Sequence, residues 1–413
     1  MISISLHKDA DIDEFTSLLT QSGYSYTQLK SVPRIMHIDV DYVAFTLVDH
    51  PSIKGISKND VELKPAYVET NVAYLHGRYA KSGDTWAKAR ICRRKNVFRP
   101  TGQNFNELQS PPVAHRQTRT GLGVDVYILD RGFNPNHIEF VGRNFTRIDT
   151  ENGATATTKD TSHYHGLAVG SCAGGNVYGI APDSQMYFSR VTGGVTAYSA
   201  DMINSIDVAF NHYLSNAASN RPGILNMSWA TSVLGFDQVL SDLVSACIDA
   251  GMVFCAPTGN NREDLDAINV YPAEDDPAVI VVGATTIFDT PMYAENNMGT
   301  GYGMPVTIFA PGMFVLTAHA TDTNAPDDEL NSNTGTSFAT PYVAGVVACM
   351  LQGYQRLTDR TQVVALKNKL ISNSTKGVIK FPENMTIRER ERNRLLYLDP
   401  YLSIEPINGL TPL

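Results

Sequence analysis

The chain has 413 residues, 43% of them hydrophobic, and a formal net charge of -9. That apolar content supports a sizeable core and excludes global disorder, and the length suggests two to three domains. An acidic balance without a basic stripe argues against a nucleic-acid partner, and no run of about 18 apolar residues is present to span a bilayer. The opening Met1–Asp9 lacks the charged start and apolar middle of a signal peptide. Five cysteines, at 92, 172, 247, 255 and 349, lie mostly in apolar surroundings. The expectation is buried, reduced thiols in an intracellular protein, with Cys247–Cys255 as the alternative pair.

Residues 1–65 read as a small α+β unit. Ile2, Ile4 and Leu6 alternate with polar residues, the period of a strand. Ile12, Phe15, Leu18 and Leu19 fall on one face of a short helix that Gly23 stops. Strands are expected at 34–40 and 43–48, a second short helix at 50–56, and a last strand near 61–63. This order is the ferredoxin-like split unit, which many binding modules share, so an adaptor domain is one reading. However, Asp49-His50-Pro51-Ser52-Ile53 followed by Val61-Glu62-Leu63 resembles the end of the inhibitory propeptides that precede subtilisin-like proteases. That resemblance implies a domain that assists folding of a protease and then blocks its cleft.

Residues 66–115 show no clear periodicity and read as a linker or activation segment. A basic cluster, Arg90, Arg93, Arg94 and Lys95 around Cys92, has the pattern of a solvated face. The sharper expectation is a processing site between two domains, since exposed linkers invite cleavage. Pro111-Pro112 marks the end of the segment.

From about 116 to 400 the pattern changes. Val124–Leu129 is a nearly continuous apolar strand suited to a buried parallel sheet, and it ends at Asp130-Arg131-Gly132. His163 and His165 follow in a Ser-His-Tyr-His-Gly frame, before a helix of small residues over 167–173. Strands over 186–191, 224–228, 252–256, 278–282 and 306–309 alternate with helices over 201–214 and 236–250. Alternation of this kind predicts a mostly parallel sheet with helices on both faces. The run after Gly335-Thr336-Ser337 is apolar almost all round, as in a helix buried in a large core.

Ser337 at the start of that helix sits near unsatisfied backbone N–H groups, which suit a nucleophile whose attack generates an oxyanion. Taken alone it is an N-cap serine, Asp130 a turn residue, and His165 a structural histidine or half of a metal pair. No zincin spacing follows the two histidines, so no metal site is expected. Serine hydrolysis needs an acid, a base, a nucleophile and an oxyanion donor. Asp130, His165, Asn260 and Ser337 supply them, each near a strand end or helix start.

These residues lie in motifs. Gly123–Asp130, His165-Gly166 with Ala168-Val169-Gly170, Tyr178–Pro182, Asn226-Met227-Ser228, Gly259-Asn260, Ala310-Pro311-Gly312 and the Ser337 stretch are together similar to the subtilisin-like serine proteases. The proteinase K-like branch is the nearest. Asn393–Tyr397 resembles the family's closing segment. The resemblance implies a serine endopeptidase with Asp130, His165 and Ser337 as triad and Asn260 as oxyanion donor. It implies a substrate strand lying against Ser228, Trp229 and Ala230, with Gly193 and Gly194 flanking its other side. No cofactor is required on this reading, and calcium in surface loops is an optional ligand. The partners it implies are a protein or peptide substrate and the chain's own N-terminal domain as inhibitor.

Four departures from the family pattern stand out. Arg131 follows the triad acid, where it is placed to pair with Asp130 in competition with His165. Leu167-Ala168 replaces Thr-His, Trp229-Ala230-Thr231 replaces a glycine-rich stretch and is expected to narrow the side-chain pocket or tilt the substrate, and Tyr342 stands in place of a histidine. Acidic groups at 263–266, 274–276 and 327–329 match no defined calcium loop, and Thr285-Thr286 stands where related enzymes carry a calcium carboxylate. An alternative reading is a structural or binding protein on a protease fold, for example a virion component. A general esterase is disfavoured because no Gly-x-Ser-x-Gly elbow surrounds Ser337. Charged residues over 387–394 read as a solvent-facing helix, and 401–413 as a tail free to dock elsewhere.

Overall fold

The structure is a computed structural model that describes residues 1–40, 44–58, 62–65, 85–96, 117–143, 145–150, 153–160, 163–192, 197–232, 238–293, 298–320, 327–381, 392–400 and 406–413. At the N-terminus, β1 (Ile2–Leu6), α1 (Ile12–Gln21), β2 (Tyr26–Gln28), β3 (Ile35–Ile38) and β4 (Ile53–Lys58) form a four-stranded sheet in the order β2-β3-β1-β4. All its pairs are antiparallel, with Ile4 opposite Met36 on one side and Ile56 on the other. Asp11 caps α1 by accepting from the Glu14 N–H, and Phe15 and Leu19 pack on Ile2, Ile4, Leu6, Met36 and Ile38.

The second helix expected at 50–56 is not formed; β4 takes its place. Pro51 and Gly55 are weak helix formers, and a side chain at Gly55 would meet Gln238 of the large domain. The strand expected at 43–48 is a run of turns over its described residues.

β5 (Glu62–Pro65) leaves this sheet and joins another. The next described stretch, 85–96, corrects the reading of 66–115 as a linker throughout. Thr85 caps α2 (Trp86–Ile91), whose six residues are all buried. Arg90 is 1% exposed and forms a bidentate ion pair with Asp289, Nε to Oδ1 at 2.7 Å and Nη2 to Oδ2 at 3.0 Å. Trp86 Nε1 donates to the Phe314 carbonyl and Lys88 Nζ to the Val177 carbonyl. The helix and Arg90 therefore belong to the large domain's core, while Arg93 is half-buried and Arg94 and Lys95 are exposed, as a solvated basic face would have them. Pro111-Pro112 lies outside the described residues.

The large domain is built on a nine-stranded sheet. In chain order its strands are β6 (Asp125–Asp130), β7 (Phe145–Arg147), β8 (Gln185–Arg190), β10 (Gly223–Met227), β12 (Val253–Pro257), β14 (Ile280–Thr285), β15 (Ile308–Pro311), β18 (Thr375–Lys376) and β19 (Arg394–Leu395). They lie side by side as β18-β19-β15-β14-β12-β10-β6-β8-β7, and every pair except β18–β19 is parallel. Parallel strands buried on both faces are nearly uniformly apolar, which is why the sequence marks them. On one face lie α3 (His165–Gly174) and α6 (Thr336–Leu351), packed on each other and on the central strands. On the other lie α4 (Ser199–Ser215) and α5 (Gln238–Asp249), with α7 (Arg360–Asn373) beside α5. All sixteen residues of α6 are buried, as its all-round apolar sequence requires.

Two short strands, β9 (Ala197–Tyr198) and β11 (Trp229–Ser232), enclose β5, and β13 (Val270–Tyr271) extends that sheet in the order β13-β11-β5-β9. A hairpin of β16 (Val315–Ala318) and β17 (Leu330–Asn333) precedes α6. The five cysteines are free and buried. Residues 406–413 correct the reading of a tail free to dock elsewhere. Ile407 and Leu410 are buried, the Ile407 N–H donates to Tyr354 Oη, and the Leu413 N–H to the Gly353 carbonyl. Of the charged stretch at 387–394, positions 387–391 lie outside the described residues. No described helix is long and apolar enough to cross a membrane.

Candidate active site

Two glycines bring the end of β6 and the start of α3 into contact. Gly132 has φ +95°, and a side chain there would collide with the His163 carbonyl oxygen. A Cβ on Gly166 would lie 2.7 Å from the Gly132 carbonyl and 2.9 Å from Asp130 Cβ. Only glycine tolerates that approach, which is the physical content of the Asp-Arg-Gly and His-Gly pairs. With the backbones this close, His165 Nδ1–H donates to Asp130 Oδ1 at 2.7 Å. Both side chains are fully buried. The carboxylate thus fixes the proton on Nδ1 and leaves Nε2 as the basic nitrogen.

Arg131 does not compete for the acid as its sequence position suggests. Its backbone N–H donates to Asp130 Oδ1 at 2.7 Å, while its guanidinium lies 5.7 Å over the Trp229 ring. His163, the other member of the histidine pair, accepts from the His165 N–H through Nδ1 at 3.0 Å. Burial, helped by the charge of Arg131 and by His165 and His319, pushes its pKa down to about 3. It is neutral at ordinary pH and acts as a cap on the helix that carries His165.

Ser337 is the second residue of α6, where backbone N–H groups lack intrahelical partners. Its Oγ donates to the Ser228 carbonyl at 2.9 Å, not to the imidazole. In return Ser228 Oγ donates to the Ser337 carbonyl at 2.9 Å. Pro341 explains that second bond. Proline has no N–H to give the carbonyl four residues earlier, so the Ser337 carbonyl is left for Ser228. The first turn of α6 is thereby tied to the residue that precedes β11, and the His165 ring lies 5.4 Å from that of Phe338, the residue after Ser337.

Asn260 completes the group. Its Oδ1 accepts from the Thr336 N–H at 2.9 Å and from Thr336 Oγ1 at 3.0 Å, which orients the amide. Its Nδ2 is buried with no acceptor among the described residues. A buried donor left open costs free energy, and the oxygen of the same amide is bonded to Thr336, directly before Ser337. Asp130, His165, Asn260 and Ser337, far apart in sequence, are thus gathered at the strand ends of one sheet.

On the substrate side, β11 carries Trp229 and Ala230, directly after Ser228. β5 lies antiparallel to it, with Pro65 opposite Trp229 and Lys64 opposite Ala230. Its other edge pairs with β9, Leu63 opposite Ala197. Gly193 and Gly194 lie outside the described residues; the observed second wall is Ala197–Tyr198. Strand alternation corrects the expectation that Trp229 narrows the pocket. Ser228 and Ala230 share one face, and Trp229 turns to the other, toward Arg131.

The acidic clusters are engaged elsewhere. Asp276 pairs with Arg360, and Asp327 with Lys159 and Asn134. Asp264 and Asp266 accept backbone N–H groups. Near Thr285 and Thr286, the carboxylate of Asp289 is taken by Arg90. Among the described residues no three His, Cys, Asp or Glu side chains converge as a metal site.

Comparison with known proteins places this geometry. A model of the Subtilase family matches residues 121–389. The subtilisin-like serine protease pepC of Aspergillus niger is 29% identical over 76% of this chain, and the chain spans 56% of that relative's length. A cold-adapted subtilisin-like serine proteinase of known structure is 27% identical, with a TM-score of 0.59 over 76% of this chain and 98% of that one. Fervidolysin from Fervidobacterium pennivorans shares the fold over 99% of this chain and 61% of its own, with a TM-score of 0.65 at 16% identity.

Proposed function

Since the chain belongs to the subtilase family, we propose that it is a serine endopeptidase acting through Asp130, His165, Ser337 and Asn260. The observation that carries this reading is Asn260, whose Oδ1 is bonded to Thr336 directly before Ser337 while its buried Nδ2 has no acceptor among the described residues. In the reaction, Ser337 Oγ rotates from the Ser228 carbonyl to His165 Nε2 and attacks the peptide carbonyl as the imidazole takes its proton. Asp130 holds the Nδ1 proton and stabilises the imidazolium. The oxyanion accepts from Asn260 Nδ2 and the Ser337 N–H. His165 then protonates the leaving amine, and water, activated by the same base, releases the acyl group.

The small domain is the enzyme's first substrate and its inhibitor on this reading. β5 occupies the place of a substrate strand, held on both edges by main-chain pairing. The burial of Ser337, His165 and Asp130 fits a cleft filled by the chain itself. Cleavage after β5 leaves α2 with the large domain, because Arg90 is locked to Asp289. The new N-terminus then falls between residues 66 and 84, so the basic cluster at 90–95 is not the processing site.

A fluorophosphonate probe tests the activity. The full-length protein, allowed to self-process, should become labelled and Ser337→Ala should not. Absence of label on the wild-type chain, even after limited proteolysis removes the small domain, overturns the reading and leaves a binding protein on a protease fold.

A further inference from the structure

Helix α7 sends two cations to one turn. Arg360 and Lys367 are seven residues apart and so lie on the same helix face. Both reach residues 276–279, directly before β14. Arg360 Nη1 donates to both oxygens of the Asp276 carboxylate at 2.7 Å. That carboxylate also accepts from Ser245 Oγ and from the Ala278 N–H. Lys367 Nζ instead donates to two backbone carbonyls, that of Pro277 at 2.8 Å and that of Val279 at 2.7 Å.

Two carbonyl oxygens aimed at one point are ligands of the kind a hard cation such as calcium takes, at about 2.3–2.6 Å. At this turn an ammonium stands at that point, and a metal ion cannot lie between the same oxygens with it. The carboxylates alongside are engaged as well: Asp276 by Arg360, and Glu274 by the Val270 N–H at 2.7 Å. Burial, with Arg392 and Arg394 adding to it and Asp276 opposing, pulls the Lys367 pKa down to about 8. The side chain is therefore still mostly an ammonium at neutral pH. It lines a cavity of about 390 Å³ beside Ala273, Val281, Met304 and Arg392, through which small solutes can approach.

The turn matters to the site because β14 supports the strand that leads to Asn260. Ile280 lies opposite Cys255 of β12, and the Thr258 N–H donates to the Val282 carbonyl at 3.0 Å. We propose that the Lys367 ammonium is the resident cation of the Pro277 and Val279 carbonyls, a metal-ion position filled by the chain's own side chain. Calcium, which the family resemblance makes an optional ligand, is neither bound nor needed at this turn. β14 is thus held by organic cations at both ends, by Lys367 before it and by Arg90 on Asp289 after it.

Thermal unfolding of the full chain tests this, with Ser337→Ala as the parent so that the chain stays whole. In chelator, Lys367→Ala should lower Tm by about 2 °C or more. n-Propylammonium chloride, which replaces the missing part of the side chain, should restore at least about half of that loss. Tetramethylammonium, with no N–H to donate, should restore none, and neither salt should move the parent. Lys367→Glu probes the metal position. A glutamate oxygen ends one bond short of a lysine nitrogen, so an ion bound to it falls near the place of Nζ. Millimolar calcium should raise the Tm of Lys367→Glu by at least about 2 °C more than that of the parent. A Lys367→Ala chain within about 1 °C of the parent, or one that both salts affect alike, overturns the ammonium's role. Equal calcium shifts in the parent and in Lys367→Glu overturn the metal position. If Lys367→Ala does not fold, Lys367→Gln should show a smaller loss of the same sign, and no loss there overturns the tie.

Discussion

Two parts of the N-terminal quarter dock on the large domain in opposite ways. The small sheet meets α4 and α5 mainly through polar residues: Ser3, Ser5, His37 and Ser57 are buried, and Leu29 and Ile35 add an apolar edge to the large core. His37 bridges Ser3 Oγ at 2.6 Å and Asn204 Oδ1 at 2.8 Å. Asp207 accepts from the Lys30 and Ser31 N–H groups and from Ser31 Oγ. Lys54 pairs with Asp242. Residues 85–96 instead insert Trp86, Ala87, Ala89 and Ile91 into the core and bury a guanidinium on a carboxylate. Polar contacts exchange readily for water, whereas a buried apolar helix with a buried ion pair does not. On the proposed reading the first contact is the one that separates and the second the one that stays.

The contrast can be broken most severely at Arg90. Arg90→Ala strands the Asp289 carboxylate in the core and should lower the stability of the large domain by about 3–5 kcal/mol, read by denaturant unfolding. A loss below about 1 kcal/mol would place α2 among the detachable elements. Next, Asp207→Ala removes the acceptor of two backbone N–H groups and a hydroxyl. It should weaken retention of the cleaved small domain by about 1–3 kcal/mol, seen by native mass spectrometry, while the unfolding midpoint of the large domain stays unchanged.

Acid should act on the first contact alone. Burial holds the His37 pKa below its ordinary value, against the Asn204 hydrogen bond and the Asp207 charge. Docking therefore favours the neutral imidazole. Its contribution is complete above the free value of about 6.5 and falls away as the pH drops through that value toward the lower docked one. Retention of the small domain should decrease over that window, and His37→Gln should flatten the dependence. The smallest effect is expected at Lys54, which is 38% exposed: Lys54→Ala should change retention by less than about 1 kcal/mol.

The same contrast explains what could be read from sequence. The strands of the large sheet and α6 announce themselves as apolar runs, because both faces or all sides are buried. The paired glycines at 132 and 166 mark where backbones touch, and they carry Asp130 and His165 with them. Arg90 was opaque because its partner Asp289 is 199 positions away; without it four cations read as a solvated surface, although Thr85 before Trp86 is a recognisable cap. The second helix of the small domain failed because Ile53 and Ile56 fit a helical spacing while serving a bulged strand. Pro341 inside a buried helix was the one local sign that the Ser337 carbonyl needs an outside donor.

The proposed nucleophile and the substrate-like seat of β5 meet in a single experiment: the mass of the purified chain beside that of Ser337→Ala. The wild-type chain should yield a fragment whose N-terminus lies between residues 66 and 84, and the Ser337→Ala chain should remain whole under the same conditions. An intact wild-type chain, or the same cut in both proteins, would contradict self-cleavage by Ser337.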